Sequence, residues 1–265
     1  MSESVLDKIV ADRRKSIPQE KNTVGIDQLR NLAMSQPTPL SLSAVMKMKG
    51  VRLIAEIKPA RPSVGTLKEG FSVREQAKAY YVGGASAISV LTEPDHFQGS
   101  WMNLRAAKEF STLPTLCKDF IFDKFQLEMA RAYGADAVLL IAATLDDLEL
   151  KRLCRAAHKL EMEVLTEATN KEELERVLAG GSDLIGINSR NLDTLEVDFD
   201  GALELASTIK DRRPVIMESG ISTRADVKKV EKAGIEGILV GTVLMKADDP
   251  AGKIRELLET EGPVS

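Results

Sequence analysis

The stretch Gly134-Ala135-Asp136-Ala137-Val138-Leu139-Leu140-Ile141 decides the architecture. Residues Lys124–Tyr133 before it have apolar side chains at helical spacing. The glycine sits where a helix end turns left-handed. Two small or acidic residues follow, and then an apolar run begins. The same order recurs at Gly84-Ala85-Ser86-Ala87-Ile88, Gly181-Ser182-Asp183-Leu184-Ile185 and Gly234-Ile235-Glu236-Gly237-Ile238, at intervals of roughly 50 residues. Solenoid repeats run shorter, and the segments between show no shared side-chain pattern. Four further apolar runs, Leu53–Lys58, Pro114–Lys118, Glu163–Glu167 and Pro214–Glu218, interleave with these. Stretches of period 3.6 separate the runs, Glu172–Leu178 being one. Strands alternating with helices make a parallel sheet. Eight such units in the span 51–265 predict an α/β fold, a single closed (β/α)8 TIM barrel. A doubly wound open sheet is the alternative, but it has fewer strands and a dominant glycine-rich turn, and no G-x-G-x-x-G occurs.

Residues 1–50 precede the first strand. Leu6, Ile9, Val10 and Ile17 are spaced for one helix face, and Ile26–Met34 reads as a second short helix. About 50 residues make a poor core alone, so an N-terminal helical extension packed on the barrel is expected rather than a separate domain.

Composition narrows the function. The 265 residues are 43% hydrophobic and 29% charged, a globular balance. A net charge of −4 offers no electrostatic grip on nucleic acid or an anionic membrane. Aromatics at 4% leave few platforms for stacking bases. The two cysteines, Cys117 and Cys154, lack metal-type spacing and read as small buried hydrophobes of a reducing compartment. The charged N-terminus is unlike a signal peptide, and no apolar run reaches membrane-spanning length. A cytoplasmic protein is expected, with no nucleic-acid or membrane partner.

The polar residues cluster at strand ends. Val51–Ala55 leads into Glu56-Ile57-Lys58, where period two points both ionisable side chains to one face. A surface salt bridge on an edge strand would be the plain explanation for this pair alone. Four other runs end alike, in Lys118-Asp119, Thr166-Glu167, Asn188-Ser189-Arg190 and Glu218-Ser219. Inward side chains of a barrel stack in layers from alternate strands, so Glu56, Lys118, Glu167 and Glu218 are expected to share one layer at the mouth. Two further turns, Ser219-Gly220-Ile221-Ser222 and Gly241-Thr242, follow strands 7 and 8, where barrels hold phosphate. A short helix beginning near Thr242 is expected to aim its N–H groups at that anion. There are only two histidines, His96 in a loop and His158 on a helix surface, with no metal-ligand partner. No nucleophile elbow or Cys/His arrangement is present. Lysine and glutamate therefore carry the chemistry, either as acids and bases on a carbonyl compound or through a lysine Schiff base.

Leu53–Lys58, Cys117–Ile121, Leu165–Glu167, Ile185–Leu192 and Glu218–Ile221 resemble the motifs of the indole-3-glycerol-phosphate synthases, as do Val5–Ala11 and Ser89–Glu93. The resemblance runs from about residue 5 to residue 260, and it is the ordered set that is specific. It implies a carboxy-lyase of tryptophan biosynthesis that needs no cofactor or metal. The implied substrate is 1-(2-carboxyphenylamino)-1-deoxyribulose 5-phosphate, a small phosphorylated molecule. It undergoes ring closure, decarboxylation and dehydration. By that resemblance Lys118 is the general acid, and Glu167 assists proton transfer and stabilises the cationic intermediate. Lys58, paired with Glu56, serves dehydration, Asn188 positions the substrate and Glu218 lies by the reacting atoms. Arg190 meets the substrate carboxylate. Ser219, Gly220, Gly241 and Thr242 hold the phosphate, with Arg61 and Ser63 contributing from the loop after the first strand. Phe97, Phe120 and Leu139 wall the aryl ring. For Lys118, burial and nearby cations are expected to lower the pKa while Glu56 and Glu167 oppose them. The loop departs from the family pattern in one place: Arg61 stands where a phosphate-contacting serine is usual. A phosphosugar isomerase, a Schiff-base aldolase and a non-catalytic binding barrel are the competing readings. A monomer is expected.

Overall fold

The computed structural model describes residues 4–62 and 64–260. Eight parallel strands close on themselves. They are β1 (Arg52–Ile57), β2 (Ala87–Leu91), β3 (Thr115–Lys118), β4 (Ala137–Ile141), β5 (Glu163–Ala168), β6 (Leu184–Asn188), β7 (Val215–Glu218) and β8 (Gly237–Val240). Each pairs with its sequence neighbours, and β1 completes the ring by pairing Arg52 with Gly237 of β8 and Ile54 with Ala87 of β2. β1 is thus interior to a closed sheet and not an edge, which removes the surface-salt-bridge explanation of Glu56 and Lys58. Helices α1 (Val5–Thr23), α2 (Ile26–Ser35) and α3 (Leu42–Met46) precede the barrel. The crossovers carry α4 (Val73–Gly83), α5 (Trp101–Glu109), α6 (Lys124–Ala132), α7 (Asp147–Lys159), α8 (Lys171–Gly180), α9 (Phe199–Ser207) and α10 (Arg224–Lys232). Helices α11 (Thr242–Lys246) and α12 (Pro250–Leu258) close the chain. The four repeat glycines all have positive φ, from 73° to 93°, and each leads from a helix into the next strand.

Period two sorts the strand residues into two cores. Leu53, Ala55 and Ile57 of β1 face outward, in a cluster shared with the inner faces of α4 to α10. Ile54, Leu116, Leu165 and Ile216, one from each odd strand, face inward with Ala87, Leu139, Leu184 and Leu239. The residues two positions further along the odd strands are Glu56, Lys118, Glu167 and Glu218. A buried apolar layer therefore lies directly beneath an ionisable one.

The N-terminal segment runs the height of the barrel. Leu6 and Ile9 of α1 join the inner cluster from the mouth, while Leu42 and Met46 of α3 join it from the base. Ile17, Leu29 and Ala33 form a third cluster with Phe125, Met129 and Ala132 of α6. The small helix α3 has no counterpart among the elements expected from sequence, nor does an antiparallel hairpin of Ala60–Arg61 against Gly65–Thr66 in the loop after β1.

Candidate active site

A cavity of about 500 Å³ opens at the C-terminal ends of the strands. That is the range of small-molecule sites. The six residues named from sequence as catalytic line it together, as do Arg61, Phe97, Phe120, Leu139, Arg190, Ser219, Gly220, Gly241 and Thr242. Ser63 lies outside the described residues.

Lys118 occupies the centre. Its Nζ donates to Glu218 Oε2 at 2.7 Å and to Glu167 Oε2 at 3.4 Å. Burial pulls the ammonium pKa down, but Glu218, Glu167 and Glu56 outweigh it and hold the group above its ordinary value. Glu56 and Glu167 oppose burial as expected from sequence, and Glu218 adds the nearest counter-charge. The expected influence of nearby cations is corrected, since the charges acting on the lysine are carboxylates. Burial pushes Glu218 up to about 7, with Lys118 pulling against it and Glu167 reinforcing it. This carboxyl therefore titrates in the neutral range.

Lys58, one residue beyond β1, pairs with Glu56, which is 2% exposed. Gly241 makes room for that carboxylate: a Cβ there would lie 2.0 Å from Glu56 Oε2. Asn188 Nδ2 donates to Glu167 Oε1 at 2.8 Å, and Asn188 Oδ1 accepts from the Arg190 backbone N–H at 2.9 Å. The amide thus ties Glu167 to the loop after β6.

One side of the cavity is apolar. The Phe97 and Phe120 rings lie 6.0 Å apart, with Leu139 and Ile141 beside them. Phe97 is held by a turn built around Glu93, a residue to which the sequence alone assigns no role. Glu93 is fully buried and its carboxylate accepts the N–H groups of Asp95, His96 and Phe97 at 3.0, 2.9 and 2.9 Å. The opposite side is a cradle. Ser219 and Gly220 both have positive φ, 64° and 72°. For serine that conformation is strained, and such strain collects at functional sites. Thr242 begins α11 and lines the cavity with Gly241 and Val243, so the first turn of that helix borders it. Arg61 and Arg190 stand at the rim. Burial, then the Arg61 guanidinium, lower the Arg190 pKa, which places both cations near one point.

Ser222 and Leu192 line the cavity from stretches the sequence singles out, whereas Leu195, from a loop, and Lys246, from α11, line it with no signal in the sequence, and Leu6 and Ile9 line it from α1. Leu6 and Ile9 are legible as a buried helix face, but nothing local says that the face covers a site.

Residues 6–257 match the model of the indole-3-glycerol phosphate synthase family. The chain belongs to that family. Among curated relatives, the indole-3-glycerol phosphate synthase of Carboxydothermus hydrogenoformans is 44% identical over 96% of this chain and 98% of its own length. That of Dehalococcoides mccartyi is 42% identical over 96% of this chain and all of its own length. Among solved structures, 3-hexulose-6-phosphate synthase from Salmonella typhimurium superposes with a TM-score of 0.63 at 19% identity, covering 79% of this chain and 97% of that one. At that identity the likeness is one of barrel fold alone.

Proposed function

We propose that this protein converts 1-(2-carboxyphenylamino)-1-deoxyribulose 5-phosphate to indole-3-glycerol phosphate, carbon dioxide and water. The observation that carries the reading is the Lys118 ammonium fixed between Glu218 and Glu167, with an apolar wall on one side and an anion cradle on the other.

The aryl group lies against Phe97, Phe120 and Leu139, and the phosphate against Ser219, Gly220, Gly241 and Thr242. Binding the two ends bends the chain so that the ring carbon bearing the carboxylate approaches the ketose carbonyl. Lys118 donates a proton to the carbonyl oxygen as the carbon–carbon bond forms. Its raised pKa keeps it an ammonium, which suits an acid; a Schiff-base lysine would have to be neutral. Arg190 and Arg61 hold the carboxylate and phosphate as the cavity closes on them. Carbon dioxide then leaves and the ring regains aromaticity. Loss of the new hydroxyl as water, with a proton from the adjacent methylene, gives the indole. Lys58, oriented by Glu56, protonates the departing hydroxyl, and Glu167, oriented by Asn188, takes the proton and stabilises the cation between the steps. Glu218 sets the position and charge of Lys118. We further propose a cytoplasmic monomer in which residues 1–50 belong to the same single domain as the barrel, with no cofactor and no nucleic-acid partner.

The test is growth of indole fluorescence on mixing protein and substrate in EDTA. Turnover is expected, with Lys118→Ala and Glu167→Gln each lowering kcat by at least about a hundredfold. Borohydride trapping of substrate on a lysine would instead favour an aldolase. Turnover by Lys118→Ala at the wild-type rate would overturn the assignment of the acid.

A further inference from the structure

Asp119 follows the proposed acid directly, one residue past β3, and itself borders the cavity. It is buried, and its carboxylate accepts four bonds. Arg13 of α1 supplies two, Nε to Oδ1 at 3.0 Å and Nη2 to Oδ2 at 2.8 Å. Thr92, just after β2, donates its hydroxyl to Oδ2 at 2.8 Å, and the Phe120 backbone N–H donates to Oδ1 at 2.8 Å. The Thr92 N–H in turn donates to the Lys118 carbonyl at 3.0 Å. Arg13 itself is 0% exposed. Its other terminal nitrogen pairs with Glu20, and its guanidinium lies 5.8 Å from the centre of the Trp101 ring. Trp101, the single tryptophan, donates Nε1 to Glu20 Oε2 at 2.9 Å.

Two charges, Arg13 and Asp119, are thus desolvated beside the mouth of the barrel, with the partly exposed Glu20 as a further partner. A fold gains little stability that way, because a well-packed apolar set of the same volume generally does as well or better. What a two-pronged guanidinium–carboxylate contact supplies is geometry. The geometry here reaches three parts of the site: Lys118 on one side of Asp119, Phe120 on the other, and the helix face four residues before Arg13 that carries Leu6 and Ile9 over the cavity.

We propose that Arg13 is a positioning residue for the ring-closing reaction, gripping Asp119 so that Lys118, Phe120 and the Leu6–Ile9 face of α1 are held in register around the substrate. The inference rests on the synthase reading above. The test compares Arg13→Lys, Asp119→Asn and Thr92→Val with wild type, measuring kcat, KM and the folded fraction under assay conditions. Thr92→Val removes one bond to Asp119 and leaves the ion pair, so it reports even where the charge variants unfold. In folded protein, Arg13→Lys and Asp119→Asn are expected to lower kcat about 10- to 100-fold with KM within about threefold, since a misplacement of about 1 Å can cost that much. Thr92→Val is expected to lower kcat less, and Arg13→Met more than Arg13→Lys. Wild-type kcat in the folded variants, a rise in KM alone, or losses that only track the unfolded fraction would each overturn the proposal. Absence of turnover in wild type would overturn the synthase reading instead.

Discussion

At the residue scale, the site is a matter of carboxylates sharing one ammonium. Glu218 is buried and flanked by Glu167, so its carboxyl is raised from 4.5 to about 7. A raised folded pKa means that the folded protein holds a proton the unfolded chain releases. The stabilisation is complete below about pH 4.5 and is lost as pH climbs through about 7. Glu218→Gln removes this dependence. The unfolding free energy of wild type relative to Glu218→Gln should therefore fall between pH 5 and pH 8, by up to about 3 kcal/mol, the equivalent of the displacement. Urea unfolding of both proteins at the two pH values measures it; a constant difference would refute the titration. Arg61 tests the other end of the site. If its guanidinium grips the phosphate, Arg61→Ser should raise KM roughly tenfold, the scale of one lost charge-assisted hydrogen bond. Steady-state kinetics decide the matter, since a large fall in kcat at unchanged KM would assign Arg61 to the chemistry.

At the scale of elements, the residues two positions beyond Ile54, Leu116, Leu165 and Ile216 are assignable to one layer by pattern alone, because strand period and barrel layering are local and general rules. The order and parallel pairing of the strands follow for the same reason. The partner of Lys118 does not follow. Which carboxylate of a layer lies nearest the ammonium depends on rotamers and barrel shear, and neither is written in a period of two. The five residues of α3 are illegible too, since Leu42 and Met46 are too few to show a helical repeat. Ends of longer helices are clearer. Asp146 and Glu149 form a capping box on α7: Asp146 accepts from the Glu149 N–H at 2.7 Å, and Glu149 accepts from the Asp146 N–H at 3.0 Å. Asp146→Ala should cost about 1 kcal/mol. Thermal unfolding should show a fall of roughly 2–4 °C with kcat and KM unchanged, as befits a cap that does not line the cavity.

At the scale of the whole molecule, the barrel separates its two ends. The C-terminal mouth holds the strained Ser219, the raised Glu218 and the crowded carboxylates, an arrangement that costs stability. The base is where stability is recovered. Asp136, just before β4, is 1% exposed and collects four bonds there. It accepts the Leu40 N–H at 2.9 Å, the Thr115 N–H at 2.7 Å and the Lys108 ammonium at 2.9 and 2.6 Å. One carboxylate thereby fastens the segment leading into α3, the start of β3 and the end of α5. Removing it leaves two N–H groups and a partly buried ammonium without their acceptor, a loss on the order of 3–5 kcal/mol. Asp136→Ala should accordingly unfold on the order of 10 °C below wild type. Assayed well below that transition, it should turn over substrate within about twofold of wild type, because the disturbance is one full strand length from Lys118. If kcat instead fell with the protein still folded, base and mouth would be coupled through the strands, and the division of labour between the two ends of the barrel would not hold for this chain.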